Sequence, residues 1–467
     1  MLDAIPNNVN LDSDKRLQRA LLQWQPDFLN WWREVGPEGF QQDRIYLRTA
    51  IGVDAGGWAH YDYVKMPDYR WGIFLGKPRK EEAIYFGDNI GGAFWDQVPG
   101  EFRKELRRLI VTQGDTEPAS VEAQRLLGQS APSLIDLRNL FQVNVEEARH
   151  LWAMVYLLHS YFGANGREEA DEMLERRSGH PDRPRILQAF NKPIDDWLAF
   201  FCFTMFTDRD GKYQLASLAE SSFDPLARTT SFMLQEEAFH LSVGERGVAR
   251  TIRRTAQLME QGTPPESVGA IPLPVIQKYI NEWCSASYDL FGGEDSSNAA
   301  NYFAAGLKGR FKESDGKLNP DHRALEGAYT AEVFEDGRWQ TREIPLRRAM
   351  NACLLDAYVE DCNRGLNRWN GILDSHHLTE RLSLPSTRFN RRVGIFADRP
   401  YDIAGNPMEP AELESKRAEW MPSQADYELV RASMVPVYEP GKMANWIAPP
   451  DKGVSGKPAD FDYVLFH

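Results

Sequence analysis

Between about residues 100 and 260 the apolar positions recur at helical spacing in long stretches, and two of these lose their polar side altogether. Leu151-Trp152-Ala153-Met154-Val155-Tyr156-Leu157-Leu158 has hardly a polar position, and neither has the run from Trp197 to Phe206. Such runs belong to helices covered on every side. The pattern predicts four helices, near 101–127, 132–162, 190–207 and 223–259. Upstream, Lys15 to Val35 reads as an aromatic-rich amphipathic helix. Residues 43–99 are broken by Gly and Pro, with strand-like segments at Ile45–Ala50 and Trp71–Leu75. Downstream, helical character runs through about 270–370, including Arg347 to Trp369, and weakens after Leu384-Pro385. A Pro-, Gly- and Lys-rich stretch at 435–460 predicts an extended tail wrapped on the surface. With no clear linker, the expectation is one unit: an N-terminal extension (1–99), a bundle core (100–260), and a helical extension with its tail (261–467).

Charges beside such apolar runs are costly unless paired or bound to metal. One charged word occurs twice, as Glu146-Glu147-Ala148-Arg149-His150 and Glu236-Glu237-Ala238-Phe239-His240. Residues three apart share a helix face, so Glu147 with His150, and Glu237 with His240, can each reach one cation. Glu146 and Glu236 are rival ligands at the four-residue spacing. Glu-x-x-His on two helices, with one more carboxylate from each of two others, is the inward-facing set of di-iron four-helix bundles, and the three-residue choice fits it better. Roughly one such short match arises by chance, so the pair needs support. An antiparallel neighbour returning to the same depth supplies its ligand about 30 residues away. Glu117 lies 30 residues before Glu147, and Asp208 lies 29 before Glu237. Both have a plainer reading, since Gly114 and Pro118 flank Glu117, and Asp208 could end a helix ahead of Asp210-Gly211.

Composition narrows the function classes. A net charge of -14 over 467 residues argues against a nucleic-acid binder. Cysteines at 202, 284, 353 and 362 show neither metal-site pairing nor secreted-framework density, which predicts reduced thiols and a cytoplasmic protein. Met1 to Asp14 lacks a signal-peptide apolar region. No stretch reaches the roughly 20 apolar residues of a membrane span.

These residues resemble the benzoyl-CoA 2,3-epoxidase family, the oxygenase components of aerobic benzoyl-CoA degradation. The resemblance spans essentially the whole chain. It is most specific in Gln113-Gly114-Asp115-Thr116-Glu117-Pro118, Val145 to His150, Met205-Phe206-Thr207-Asp208-Arg209-Asp210-Gly211 and Leu234 to His240. It implies a mainly α, ferritin-like four-helix di-iron bundle with N- and C-terminal helical and loop extensions. The implied ligands of two iron ions are Glu117, Glu147, His150, Asp208, Glu237 and His240, in agreement with the spacing. The implied reaction is epoxidation of the aromatic ring of benzoyl-CoA by O₂, with NADPH electrons delivered by a reductase carrying flavin and iron–sulfur centres. Asp at 208 departs from the wider superfamily, where Glu is common, and not from this closer family.

Gln113, one helical turn before Glu117, is a candidate for pointing a polar group at the substrate. CoA is a polyanion, so an acidic chain that binds it needs a local basic patch. Arg253-Arg254, Lys308 to Lys312 and Arg388 to Arg392 are the candidates. Three alternatives use the same frame. A ribonucleotide-reductase-like radical subunit places a tyrosine one turn after the first His, where this chain has Met154, with Tyr156 out of register. A ferritin-like iron store needs far less chain, so the extra length is expected to build a substrate cavity. A metal-free scaffold would leave the paired motifs unused.

Overall fold

A computed structural model of the protein describes residues 5–39, 42–79, 83–315, 317, 319 and 325–451. Helix α1 (Lys15–Val35) buries Leu21, Trp24, Phe28, Trp31 and Val35, a three-and-four spacing that lays one face on the rest of the molecule. A hairpin follows, β1 (Tyr46–Val53) and β2 (Ala59–Lys65), antiparallel, with an irregularity between Ala50 and Gly52. The second predicted strand is not formed. Ile73 makes one parallel bridge to Asn7, and the apolar run there reflects burial of Ile73, Phe74 and Leu75 in extended coil. A short buried run does not by itself distinguish strand from other buried chain.

The bundle comes next: α2 (Arg103–Gln124), α3 (Leu134–Tyr161), the unpredicted α4 (Gly163–Glu175), α5 (Trp197–Leu218) and α6 (Asp224–Glu260). Helix α3 starts at Ser133, whose side chain accepts from the Asp136 amide, and from Leu134 to His159 only Asn139 is not buried. That is the all-round burial its missing polar side predicts. Helix α2 runs through Pro118. The ring crowds the carbonyl four residues back, and that residue is Gly114. A Cβ at Gly114 would lie 3.1 Å from Met154 Cβ and 3.0 Å from Met173 Sδ, so the glycine also sets the approach of α2 to α3 and α4.

Helix α5 departs most from expectation. It begins after the Asp196 cap, not at 190, and continues past 207 to Leu218, so Asp208 lies in its interior and not at its end. Asp210 and Gly211 are poor helix formers, but Asp208, Arg209, Asp210 and Tyr213 are all buried, and tertiary packing overrides the propensity. Where α6 crosses α5, a Cβ on Gly244 would strike the backbone of Met205 and Thr204. Gly244→Ala is therefore expected to destabilise the protein by roughly 1–3 kcal/mol through overpacking. Denaturant unfolding checks this, and an unchanged midpoint would refute it.

Beyond the bundle lie α7 (Leu273–Tyr288), α8 (Ser297–Ala304), a second hairpin of β3 (Ala328–Glu335) and β4 (Arg338–Pro345), α9 (Met350–Ser375), α10 (Pro410–Trp420) and α11 (Gln424–Ser433). The predicted helical portion at 270–370 is thus interrupted by a hairpin in which β4 is mostly exposed and β3 alternates only briefly, with Ala331 and Val333 buried. Part of the predicted tail, 452–460, lies outside the described residues. The described part is not only a surface wrap. Trp446 is fully buried, and the amides of Val437 and Ala444 bond to the carbonyls of Ala131 and Pro132 ahead of α3. The Ala448 amide bonds to the Arg250 carbonyl on α6. Among the described residues no helix is long and apolar enough to cross a membrane.

Candidate metal centre

Helices α3 and α6 each bring a Glu and a His to the interior, Glu147 with His150 and Glu237 with His240. Helix α2 adds Glu117 and α5 adds Asp208, and all six residues are buried. Donor atoms of Glu117, Glu147, His150 and Glu237 lie within 4.8 Å of one another, as do those of Glu147, Asp208 and His240. The two imidazole centroids are 5.9 Å apart. Glu147 puts Oε2 3.6 Å from His150 Nδ1 and Oε1 3.4 Å from His240 Nδ1. Glu237 does the same in the other sense, with Oε1 3.5 Å from His150 Nδ1 and Oε2 3.6 Å from His240 Nδ1. Two carboxylates therefore span the gap between the imidazoles. Glu117, with Oε2 3.3 Å from His150 Nδ1, serves one side, and Asp208 serves the other.

The first glutamate of each pair lies behind the imidazoles, and the two cross over. Glu236 Oε2 is 3.0 Å from His150 Nε2, and Glu146 Oε2 is 3.0 Å from His240 Nε2. Reading each helix alone missed this, because the four-residue spacing pairs Glu146 with its own His150. Carboxylates on the far ring nitrogen fix the tautomer and leave Nδ1 for a cation. Arg149 Nε in turn donates to Glu236 at 2.7 and 2.9 Å, and Arg48 Nη2 donates to Glu146 at 3.1 Å.

The donor set itself tests whether divalent cations fit. Burial pulls both imidazoles down, but Glu117 and Glu147 beside His150, and Glu237 and Glu146 beside His240, prevail and raise both well above the ordinary histidine value. Burial pushes Glu117 up to about 8 against the pull of His150. Burial, with the charges of Glu147 and Glu237, also pushes Asp208 well above the carboxylate range. Glu147 is pushed up by burial too, yet the imidazoles on both sides hold it below that range. Protons thus balance the cluster, and a pair of divalent cations would displace them. Asp208 Oδ2 and Glu237 Oε2 are buried without a hydrogen-bond partner among the described residues, as lone pairs meant for a cation would be, and His240 Nδ1, likewise without one, becomes a donor to a cation once its proton leaves. Mixed imidazole and carboxylate donors suit iron. The residues fit the group.

The remaining candidates fall in different places. Gln113 Nε2 donates to Glu117 Oε1 at 2.9 Å, so its amide faces the cluster through Glu117. Most of the basic candidates are engaged within the chain. Arg253 pairs with Asp451, Arg254 donates to the Asn445 carbonyl, and Lys308 donates to Gln214. Arg310 pairs with Glu313, Arg388 donates to the Glu332 carbonyl, and Arg391 pairs with Asp289 and Glu294. Met154 packs at Gly114, and Tyr156 meets Tyr161.

Residues 95–309 match the family described as phenylacetic acid catabolic protein. Over 470 residues, all of this chain and 99% of the relative, the sequence is 53% identical to the benzoyl-CoA oxygenase component B of Aromatoleum evansii. Identity at that level along the whole length covers the bundle and both extensions together. The chain therefore belongs to the benzoyl-CoA oxygenase component B family, oxygenases built on a di-iron, ferritin-like helical bundle.

Proposed function

We propose that this protein converts benzoyl-CoA, O₂, NADPH and a proton to 2,3-epoxy-2,3-dihydrobenzoyl-CoA, water and NADP⁺. The electrons arrive through a separate reductase with flavin and iron–sulfur centres. The carrying observation is the span of Glu147 and Glu237 across two facing imidazoles, in a chain whose full-length relative is named for benzoyl-CoA oxygenation. The words "component B" in that relative's name support a system of several components.

Two iron ions held by Glu117, Glu147, His150, Asp208, Glu237 and His240 would supply the reduction of O₂, which no side chain here can perform. The chain supplies everything around them. Glu146 and Glu236 fix the imidazoles from behind, and Gln113 orients Glu117. All six proposed ligands are buried, which keeps bulk water from them and limits hydrolysis and stray proton transfer.

Anaerobic reduction with benzoyl-CoA present, followed by isotopically labelled O₂, tests this reading. The expected product is a non-aromatic epoxide carrying one labelled oxygen atom. Labelled peroxide or water alone, with benzoyl-CoA recovered unchanged, would overturn it.

A further inference from the structure

The two Glu-Glu-Ala-x-His words differ at one position, Arg149 in the first and Phe239 in the second. The difference falls where it matters. Arg149, directly before His150, grips Glu236, which holds His150 Nε2. Its guanidinium lies 4.9 Å from the Phe232 ring centroid. By the pseudo-symmetry of the site, an arginine at 239 would grip Glu146, which holds His240 Nε2. The chain has a phenyl ring there, and a guanidinium arrives from elsewhere. Arg48, on β1, places Nη2 3.1 Å from Glu146 Oε1, with its guanidinium carbon 5.6 Å from the Phe239 centroid and 4.4 Å from that of Tyr61. Strand β1 is fixed for the purpose. Gln142 accepts from the Arg48 amide at 2.6 Å, donates to the Arg48 carbonyl at 2.8 Å, and donates to Glu146 Oε1 at 2.7 Å.

We infer that Arg48 is the positioning residue that the second motif lacks: the β1–β2 hairpin supplies it from outside α6, to hold Glu146 against Nε2 of His240 and keep Nδ1 turned toward the metal site. The half-sites are thus built differently. The Arg149 side chain is 1% exposed, and the Arg48 side chain is 24% exposed. Partners that orient a metal-ligating histidine typically contribute about 10–100-fold to metal affinity. Arg48 carries that share for the His240 side alone.

The metal part rests on the di-iron reading, so the experiment has one arm without metal. In metal-free protein labelled with nitrogen-15 histidine, the Nε2 proton of His240, assigned by its loss in His240→Gln, is expected to be slowly exchanging. It is expected to be lost in Arg48→Gln, with the His150 signal kept, and to return in Arg48→Gln/Phe239→Arg. In the second arm, anaerobic titration with Co²⁺ is expected to show two ions in the parent protein. Arg48→Gln should keep one affinity and weaken the other about 10–100-fold, and the double variant should restore it. An unchanged His240 signal in Arg48→Gln overturns the proposal. So does loss of both histidine signals, or both affinities, without rescue by Phe239→Arg, which would mark Arg48 as merely structural. A parent protein that takes up no Co²⁺ would remove the di-iron reading and leave the histidine arm to decide on Arg48.

Discussion

Replacing Glu147 with glutamine is expected to cost the protein both metal ions, whereas Glu117→Gln or Asp208→Asn should weaken one. Glu147 belongs to both groups of candidate donors, the one with Glu117, His150 and Glu237 and the one with Asp208 and His240. Its two oxygens lie 3.6 and 3.4 Å from the two imidazole Nδ1 atoms. Glutamine keeps the shape, so packing hardly changes. It offers one neutral oxygen where the carboxylate offers two that share a charge. The loss of affinity should exceed the roughly 10–100-fold typical of residues one shell further out, with oxygenation turnover falling in step. Metal analysis after gel filtration, beside turnover of the same samples, checks it. Two ions per chain and undiminished turnover in Glu147→Gln would sink the proposed share of Glu147 in both donor groups.

The largest stability effect is expected at Arg149→Met. Arg149 and Glu236 have side chains 1% and 0% exposed, and the guanidinium meets both carboxylate oxygens. Burial alone would raise Glu236, but the charge of Arg149, helped by His150, holds it down at about 2. Methionine fills much of the volume and strands a buried carboxylate, which costs about 3–5 kcal/mol. The sign with pH follows from the depressed value. The stability that Glu236 gains from ionising in the fold is complete above its unfolded value of 4.5 and is lost as pH falls toward about 2. The deficit of Arg149→Met should therefore be widest near neutrality and close as the solution is acidified below that unfolded value. Denaturant midpoints across this range test it. A deficit below about 1 kcal/mol at neutral pH would mean that the pair adds little.

The proposed ligands were legible because helical geometry converts sequence spacing into position. Three residues fix a face, which gave Glu147 with His150 and Glu237 with His240. About 30 residues fix a return to the same depth, and that drew in Glu117 and Asp208 although the end of α5 was misread. The depth argument needs only the helix pair, not its boundaries. What sequence could not show lies across helices or far along the chain. The crossing of Glu146 to His240 depends on how α3 faces α6. Arg48 stands 98 residues before Glu146, on a strand with no periodic relation to the bundle. Strands β2 and β4 were missed because their exposed, polar-rich faces leave little period-two signal, and the alternation in β3 is confined to Tyr329, Ala331 and Val333, too short a run to stand out. Trp71–Leu75 was misread for the opposite reason, since burial alone made coil look like strand.

The C-terminal segment bears on how the protein is made. Tyr438 Oη donates to the Gly128 carbonyl, 310 residues away, and Arg250 Nε donates to the Ala448 carbonyl across 198. Contacts of such separation form late, after local helices have condensed. During synthesis both ligand words leave the ribosome long before the residues that tie down the start of α3 and fill the slot taken by Trp446. The growing chain therefore passes through a stage in which the helices that carry the proposed ligands exist but their outer clasp does not, with core surface still uncovered and open to aggregation.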